Sequence, residues 1–293
     1  MPAPQLATLL EGGAFFEGPR WRRDRWWVSD MYRHAVFTVT PDGREEEVMA
    51  VEGQPSGLGW LPDGSLLVAS MRDHRLLRRD PEGAVSLHAD LSDVCTGMLN
   101  DLVVDGAGRA WVGDFGFDLM AFDDPVTTSL KRVDPDGSVT VAAEGLIFPN
   151  GTVITDDGAT LIVGETLGNR CSCFAIAVDG SLHDRRVWAK LGPEVELGEA
   201  MDTLQQLRVA VDGCAIDAED HIWAADAIGG RCIRVAPGGA IVAEVRAPDG
   251  LGIFACALGG QDGRTLLLCC APDYFENNRR DTREALLLTT EVA

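Results

Sequence analysis

Lysine is nearly absent from this chain: of 25 basic residues all but Lys131 and Lys190 are arginine, against 46 acidic ones. The resulting formal charge of −21 argues against nucleic-acid binding, which needs clustered cations on the phosphates, and against anionic lipid surfaces. No run of 18 apolar residues occurs, so no membrane-spanning helix is expected. The first residues, Met1-Pro-Ala-Pro-Gln-Leu6, lack the basic start and apolar core of a secretory leader. Paired cysteine spacings are missing as well. Cys171 and Cys173 stand too close for a usual bridge, no matching pair supplies a zinc site, and Cys214, Cys256, Cys269 and Cys270 sit inside apolar strand patterns as small core residues. These absences predict a reduced, cytoplasmic protein. A Gly-Xaa-Ser-Xaa-Gly elbow is absent too, which leaves a serine nucleophile unsupported. Helical periodicity is almost absent, and its best candidate, residues 199–208, reads as a short helix or a loop.

What is present is a six-fold repeat. Its copies begin at Glu17, Ser56, Asn100, Asn150, Asp212 and Phe254, and each is followed by a turn and a second apolar strand that ends at Asp30, Ser70, Asp114, Glu165, Asp226 and Cys270. The ends of those second strands are separated by 40, 44, 51, 61 and 44 residues. Such a period, with a strand pair in every copy, predicts an all-β fold: a six-bladed β-propeller with four-stranded antiparallel blades. Pro41-Asp-Gly43, Pro81-Glu-Gly83, Pro135-Asp-Gly137, Val178-Asp-Gly180 and Pro237-Gly-Gly239 supply the positive φ of tight hairpins between the two outer strands of successive blades. The last copy holds only three strands, so residues 5–10 are expected to complete it, closing the ring by pairing N- and C-terminal strands. No linker divides the chain, and residues 1–293 read as one domain. The tryptophans at 27, 111 and 223 recur in second strands as core residues, and the five histidines follow no ligand spacing.

A strand repeat has no use for a carboxylate or an amide at a strand's first position, yet four of the six copies carry one. In a propeller the innermost strands line a central channel, so Glu17, Asn100, Asn150 and Asp212 should converge at one end of it. Two carboxylates packed together would repel and take up protons unless a cation neutralises them. Oxygen-only donors suit Ca²⁺, Mg²⁺ or Mn²⁺ rather than a thiolate-seeking ion.

The stretches Phe16-Glu-Gly-Pro-Arg-Trp21, Leu99-Asn-Asp101, Phe148-Pro-Asn-Gly151 and Val211-Asp-Gly213 with Ile216-Asp-Ala-Glu219 and Ile222-Trp223 resemble those of the gluconolactonase and senescence-marker-protein (regucalcin-like) family. The resemblance implies that Glu17, Asn150 and Asp212 bind one divalent cation, with Ca²⁺ first and Mg²⁺, Mn²⁺ or Zn²⁺ as alternatives. It makes Asn100 a further ligand or a substrate contact, and Asp212 the candidate general base. Sugar-lactone members of that family carry an arginine two residues before the asparagine matched by Asn100, where this chain has Met98. They place polar residues where it has Asp114-Phe-Gly-Phe117.

Met98, Phe115 and Phe117 are therefore expected to line a pocket less polar than a sugar-lactone site, together with loops carrying Met31, Tyr32, Thr166, residues 191–207 and residues 271–280. The expected function is a metal-dependent hydrolase of a lactone or related ester. The cation would polarise the carbonyl, and Asp212 or water bound beside it would provide the nucleophile. Organophosphate or phosphofluoridate hydrolysis on the same site, or a non-catalytic calcium-binding interaction propeller, are the alternatives. The expected partner is a small molecule, and homo-oligomerisation stays open.

Overall fold

The structure, a computed structural model, describes residues 5–292. Residues 1–4 and 293 of the expected domain lie outside the described residues. Strands dominate, and they assemble into six antiparallel sheets of four, one per repeat. The inner strands are Phe16–Arg22, Pro55–Trp60, Leu99–Val104, Pro149–Ile154, Val211–Ile216 and Gly252–Gly259, from blade one to blade six. Each packs against the inner strands of both neighbours, and the cycle closes between blades six and one.

Solvent decides the order within a blade. In blade one the third strand, Ala35–Val39, is wholly buried, whereas the fourth, Glu45–Ala50, exposes its run of glutamates. Apolar side chains fill the spaces between blades: Trp111, Leu130, Leu161 and Phe174 pack between blades three and four, and Trp223, Cys232, Cys256 and Cys270 between five and six. The five hairpins read from Pro/Asp/Gly signals do join third to fourth strands. All eight cysteines are free thiols, and seven are buried. Trp27 is less deeply buried than Trp111 and Trp223: it packs half-buried against the core between blades one and two and meets Trp60 of blade two edge-on at 5.3 Å.

Ring closure occurs as the missing strand required. Ala7–Gly13 forms the outermost strand of blade six and runs antiparallel to Ala285–Glu291, with Ala7 opposite Thr289 and Gly13 opposite Ala285. The strand lies slightly later than residues 5–10. Residues 200–205 of the ambiguous segment form one short helix, Ala200–Gln205. Among the described residues no helix is long and apolar enough to cross a membrane.

Candidate functional site

Every inner strand breaks register with its neighbour near its start. The shifts fall between Glu17 and Arg20, Pro55 and Leu58, Leu99 and Leu102, Asn150 and Val153, Val211 and Cys214, and Ile253 and Ala255. A bulge re-aims side chains and frees backbone N–H groups from the ladder. Here the freed groups are claimed locally: Gly18 N donates to Glu17 Oε2 at 3.0 Å, and Gly151 N to Asn150 Oδ1 at 2.9 Å. Gly18 and Gly151 have φ of 53° and 46°, the left-handed region that glycine enters at no cost. A Cβ on either would also strike the next inner strand, at Ser56 O and Asp212 O.

Blades one, three, four and five thereby bring Glu17, Asn100, Asn150 and Asp212 into the lining of one cavity of about 100 Å³ at the channel's end. Asn150 Nδ2 donates to Asp212 Oδ1 at 2.5 Å, and Asn100 Nδ2 faces the carbonyl of Pro149 at 3.5 Å. Burial pushes the Glu17 carboxyl well above the usual carboxylate range, and the charge of Asp212 pushes it further. Burial likewise raises Asp212 to about 7; the hydrogen bond from Asn150 opposes this and the charge of Asp101 adds to it. Two carboxylates and two amides form a set of hard oxygen donors whose charge nothing in the immediate set balances, a chemistry that fits a divalent cation. Among the described residues no three His, Cys, Asp or Glu side chains cluster as metal ligands, so such a site depends on the amides.

The cavity wall is mostly apolar, with Gln54, Arg72, Thr166 and Glu276 as its further polar members. Phe15, Phe115, Phe148, Phe254, Met31 and Met98 line it, with Phe115 and Phe148 at 4.4 Å and Phe15 and Phe254 at 5.0 Å between ring centroids. Phe117 does not line it, which corrects the expectation. It packs edge-on against Phe148 at 5.9 Å, supporting the wall from outside, since the chain reverses at Gly116 with φ 85°.

Three segments roof the mouth. Residues 272–284 of blade six carry Tyr274, whose carbonyl accepts from the Tyr32 hydroxyl at 2.7 Å. Phe275 on the same segment stacks on Phe122 of the blade-three loop at 5.9 Å. Glu276 pairs with Arg72, which also donates to Gln54 Oε1 at 2.9 Å. The segment before blade five contributes Leu204 and Leu207 to the lining and is pinned by the buried Asn169, which donates to Pro193 and Gln206 carbonyls and accepts from Arg208 N.

The acidic residues that end the second strands serve the frame. Asp30 accepts from Ala14 and Phe15 N, Asp114 from Thr96 N, Glu165 from Ile147 N, and Asp226 from Ala210 N. Each ties down the segment that enters its inner strand. Sequence reasoning missed Asp101 as a neighbour of the site. It is buried, directly follows Asn100 on the same inner strand and ion-pairs with Arg20 at 2.7 Å. Its signal was the acidic residue standing where four other copies have Gly18, Gly57, Gly151 and Gly213.

Residues 15–271 match the family described as the SMP-30/gluconolactonase/LRE-like region. The chain belongs to this family. A pentonolactonase of Haloferax volcanii is 26% identical over 87% of this chain and 81% of its own length. Lactonase drp35 of Staphylococcus epidermidis is 22% identical over 99% of this chain and 82% of its own. The fold is shared with a calcium-binding regucalcin from Agrobacterium tumefaciens at a TM-score of 0.78, 23% identity, and coverage of 99% and 95% of the two chains.

Proposed function

We propose that the protein is a divalent-cation-dependent lactone hydrolase whose substrate is less polar than a sugar lactone. One observation carries the reading: four polar side chains from four blades meet at the floor of a cavity whose remaining lining is mostly apolar, chiefly phenylalanine, methionine and leucine, with Gln54, Arg72, Thr166 and Glu276 among its polar members. The family membership and relatives named as lactonases support the reaction class. The regucalcin described as calcium-binding supports Ca²⁺ as the cation. Cysteines that remain free thiols favour the cytoplasm as its setting.

In this reading Glu17, Asn150 and Asp212 hold the cation, and Asn100 turns its amide toward it or toward substrate. When bound, the cation supplies positive charge for the oxyanion that forms as the lactone carbonyl is attacked. Asp212 takes a proton from the attacking water, the ring C–O bond breaks, and the alkoxide leaving group recovers a proton to give the hydroxy acid. Met98 and Phe115 hold the ring's apolar face, and the roof of residues 272–284 keeps bulk water from the wall.

A panel of apolar, aromatic and sugar lactones, assayed with and without chelator, tests this. Hydrolysis that chelation abolishes and Ca²⁺ restores is the expected result. Asp212→Ala should lower turnover by about 10² or more, the usual scale for a lost general base. A protein that binds Ca²⁺ and opens no lactone across the panel would overturn the enzymatic reading.

A further inference from the structure

The inner strand of blade three handles its bulge differently from those of blades one and four. There Glu17 and Asn150 capture the N–H of the residue that follows, whereas Asn100 does not. The capture occurs one position later: Asp101 Oδ1 accepts from Leu102 N at 2.8 Å. Asp101 stands in a collar whose other members are four glycines and Ala255, so tight that a Cβ on Gly57 would lie 2.8 Å from the Asp101 Cα. Its carboxylate reaches across the channel to Arg20 of blade one, two blades away. Arg20 is itself fixed by donating to the carbonyls of Leu102 at 2.8 Å and Pro19 at 2.9 Å.

That arrangement uses only one carboxylate oxygen. Asp101 Oδ2 is buried with no hydrogen-bond partner among the described residues, in a side chain 3% exposed. A buried ionised oxygen without a donor is costly, and such atoms in native proteins are met by an ordered water or an ion. Asp101 directly follows Asn100, a residue of the cavity floor, on the same inner strand. Three carboxylates against the one guanidinium of Arg20 leave two negative charges, the amount that one divalent cation neutralises.

We propose that Asp101 is a positioning residue of the cation site: its free Oδ2 accepts from a water in the cation's hydration shell, and Arg20 fixes the carboxylate in that aim. This rests on the cation reading above. Outer partners of this kind commonly change metal affinity ten- to hundredfold.

Calorimetry with Ca²⁺ alone on the chelator-treated full chain tests it, with melting of the cation-free proteins as a second readout. Asp101→Asn replaces the free oxygen by an NH₂ donor and should weaken Ca²⁺ about ten- to hundredfold. The double variant Arg20→Met/Asp101→Asn removes both charges and leaves the balance unchanged; it should show a similar loss, and it serves if the single variant does not fold. Dissociation constants within about twofold of wild type, with only the melting temperature lowered, would make the pair purely structural and overturn the proposal. Wild-type protein that takes up no Ca²⁺ would overturn the cation reading and this inference with it.

Discussion

The Tyr32 hydroxyl donates to the backbone carbonyl of Tyr274 at 2.7 Å, tying the first blade to the segment of the last blade that covers the cavity. Tyr32→Phe deletes that one bond, of net worth about 0.5–1.5 kcal/mol, while keeping the ring. Amide hydrogen exchange in residues 272–284 should quicken, with the strand Thr128–Val133 unaffected. Unchanged exchange would mean that the Phe254–Tyr274 and Phe122–Phe275 contacts hold the roof unaided.

Glu17→Gln keeps the shape of the side chain and removes one of the two ligand charges. Ca²⁺ affinity should fall by about tenfold or more, since ligand charge sets affinity in oxygen-only sites. Calorimetry reads this directly. An unaltered dissociation constant would remove Glu17 from the ligand set.

Protons and the cation compete for the same oxygens. Asp212 lies at about 7 in the folded, cation-free protein and at its ordinary low value once unfolded, and Glu17 is raised as well. Between those limits the folded state binds more protons than the unfolded chain, so stability of the cation-free protein falls as pH rises from about 4 to about 7. Ca²⁺ binding should correspondingly strengthen with rising pH across that window and release protons. Titrations at about pH 5.5, 6.5 and 7.5 in buffers of different ionisation enthalpy count them. A pH-independent affinity would show that these carboxyls do not hold the ion.

The wall can be probed at Met98 and Phe115. Burying one apolar ring is worth roughly 1.5–3 kcal/mol, or about ten- to hundredfold in affinity. Met98→Arg should shift kcat/KM from apolar toward polyol lactones, and Phe115→Leu should weaken aromatic lactones most. A native preference for sugar lactones that Met98→Arg leaves unchanged would mean the substrate does not meet this wall.

The repeat made the blades and the four polar strand starts legible, because a carboxylate or amide recurring at one register position stands out against an apolar pattern. The bulges beneath those positions were not legible. They arise from strands crowding around an axis, which no local spacing encodes. Asp101 was hidden for a related reason, since its role depends on Arg20, 81 positions earlier and two blades away. Phe117 was misread because adjacency to Phe115 in sequence says nothing about which side of Phe148 a ring takes after the reversal at Gly116.

Lys131 and Asp114 form a pair at 2.6 Å with neither side chain exposed. Removing one member leaves a buried charge alone, so Lys131→Met should cost about 3–5 kcal/mol in denaturant unfolding. Adding Asp114→Asn to it should recover part of that loss. Ca²⁺ affinity of the folded fraction should stay at the wild-type value, because the pair serves the frame.

The strand Ala7–Gly13 finds its partner in Ala285–Glu291, nearly the full chain length away. Among the described strands the first to be made is thus the last to be paired, and it must wait unsatisfied while five complete blades form behind it. An exposed edge of that kind invites pairing between nascent chains. Glu11 and the small Gly12–Gly13 at its end, like the glutamates along the outer strand of blade one, put charge and irregularity on strands that lie at an edge.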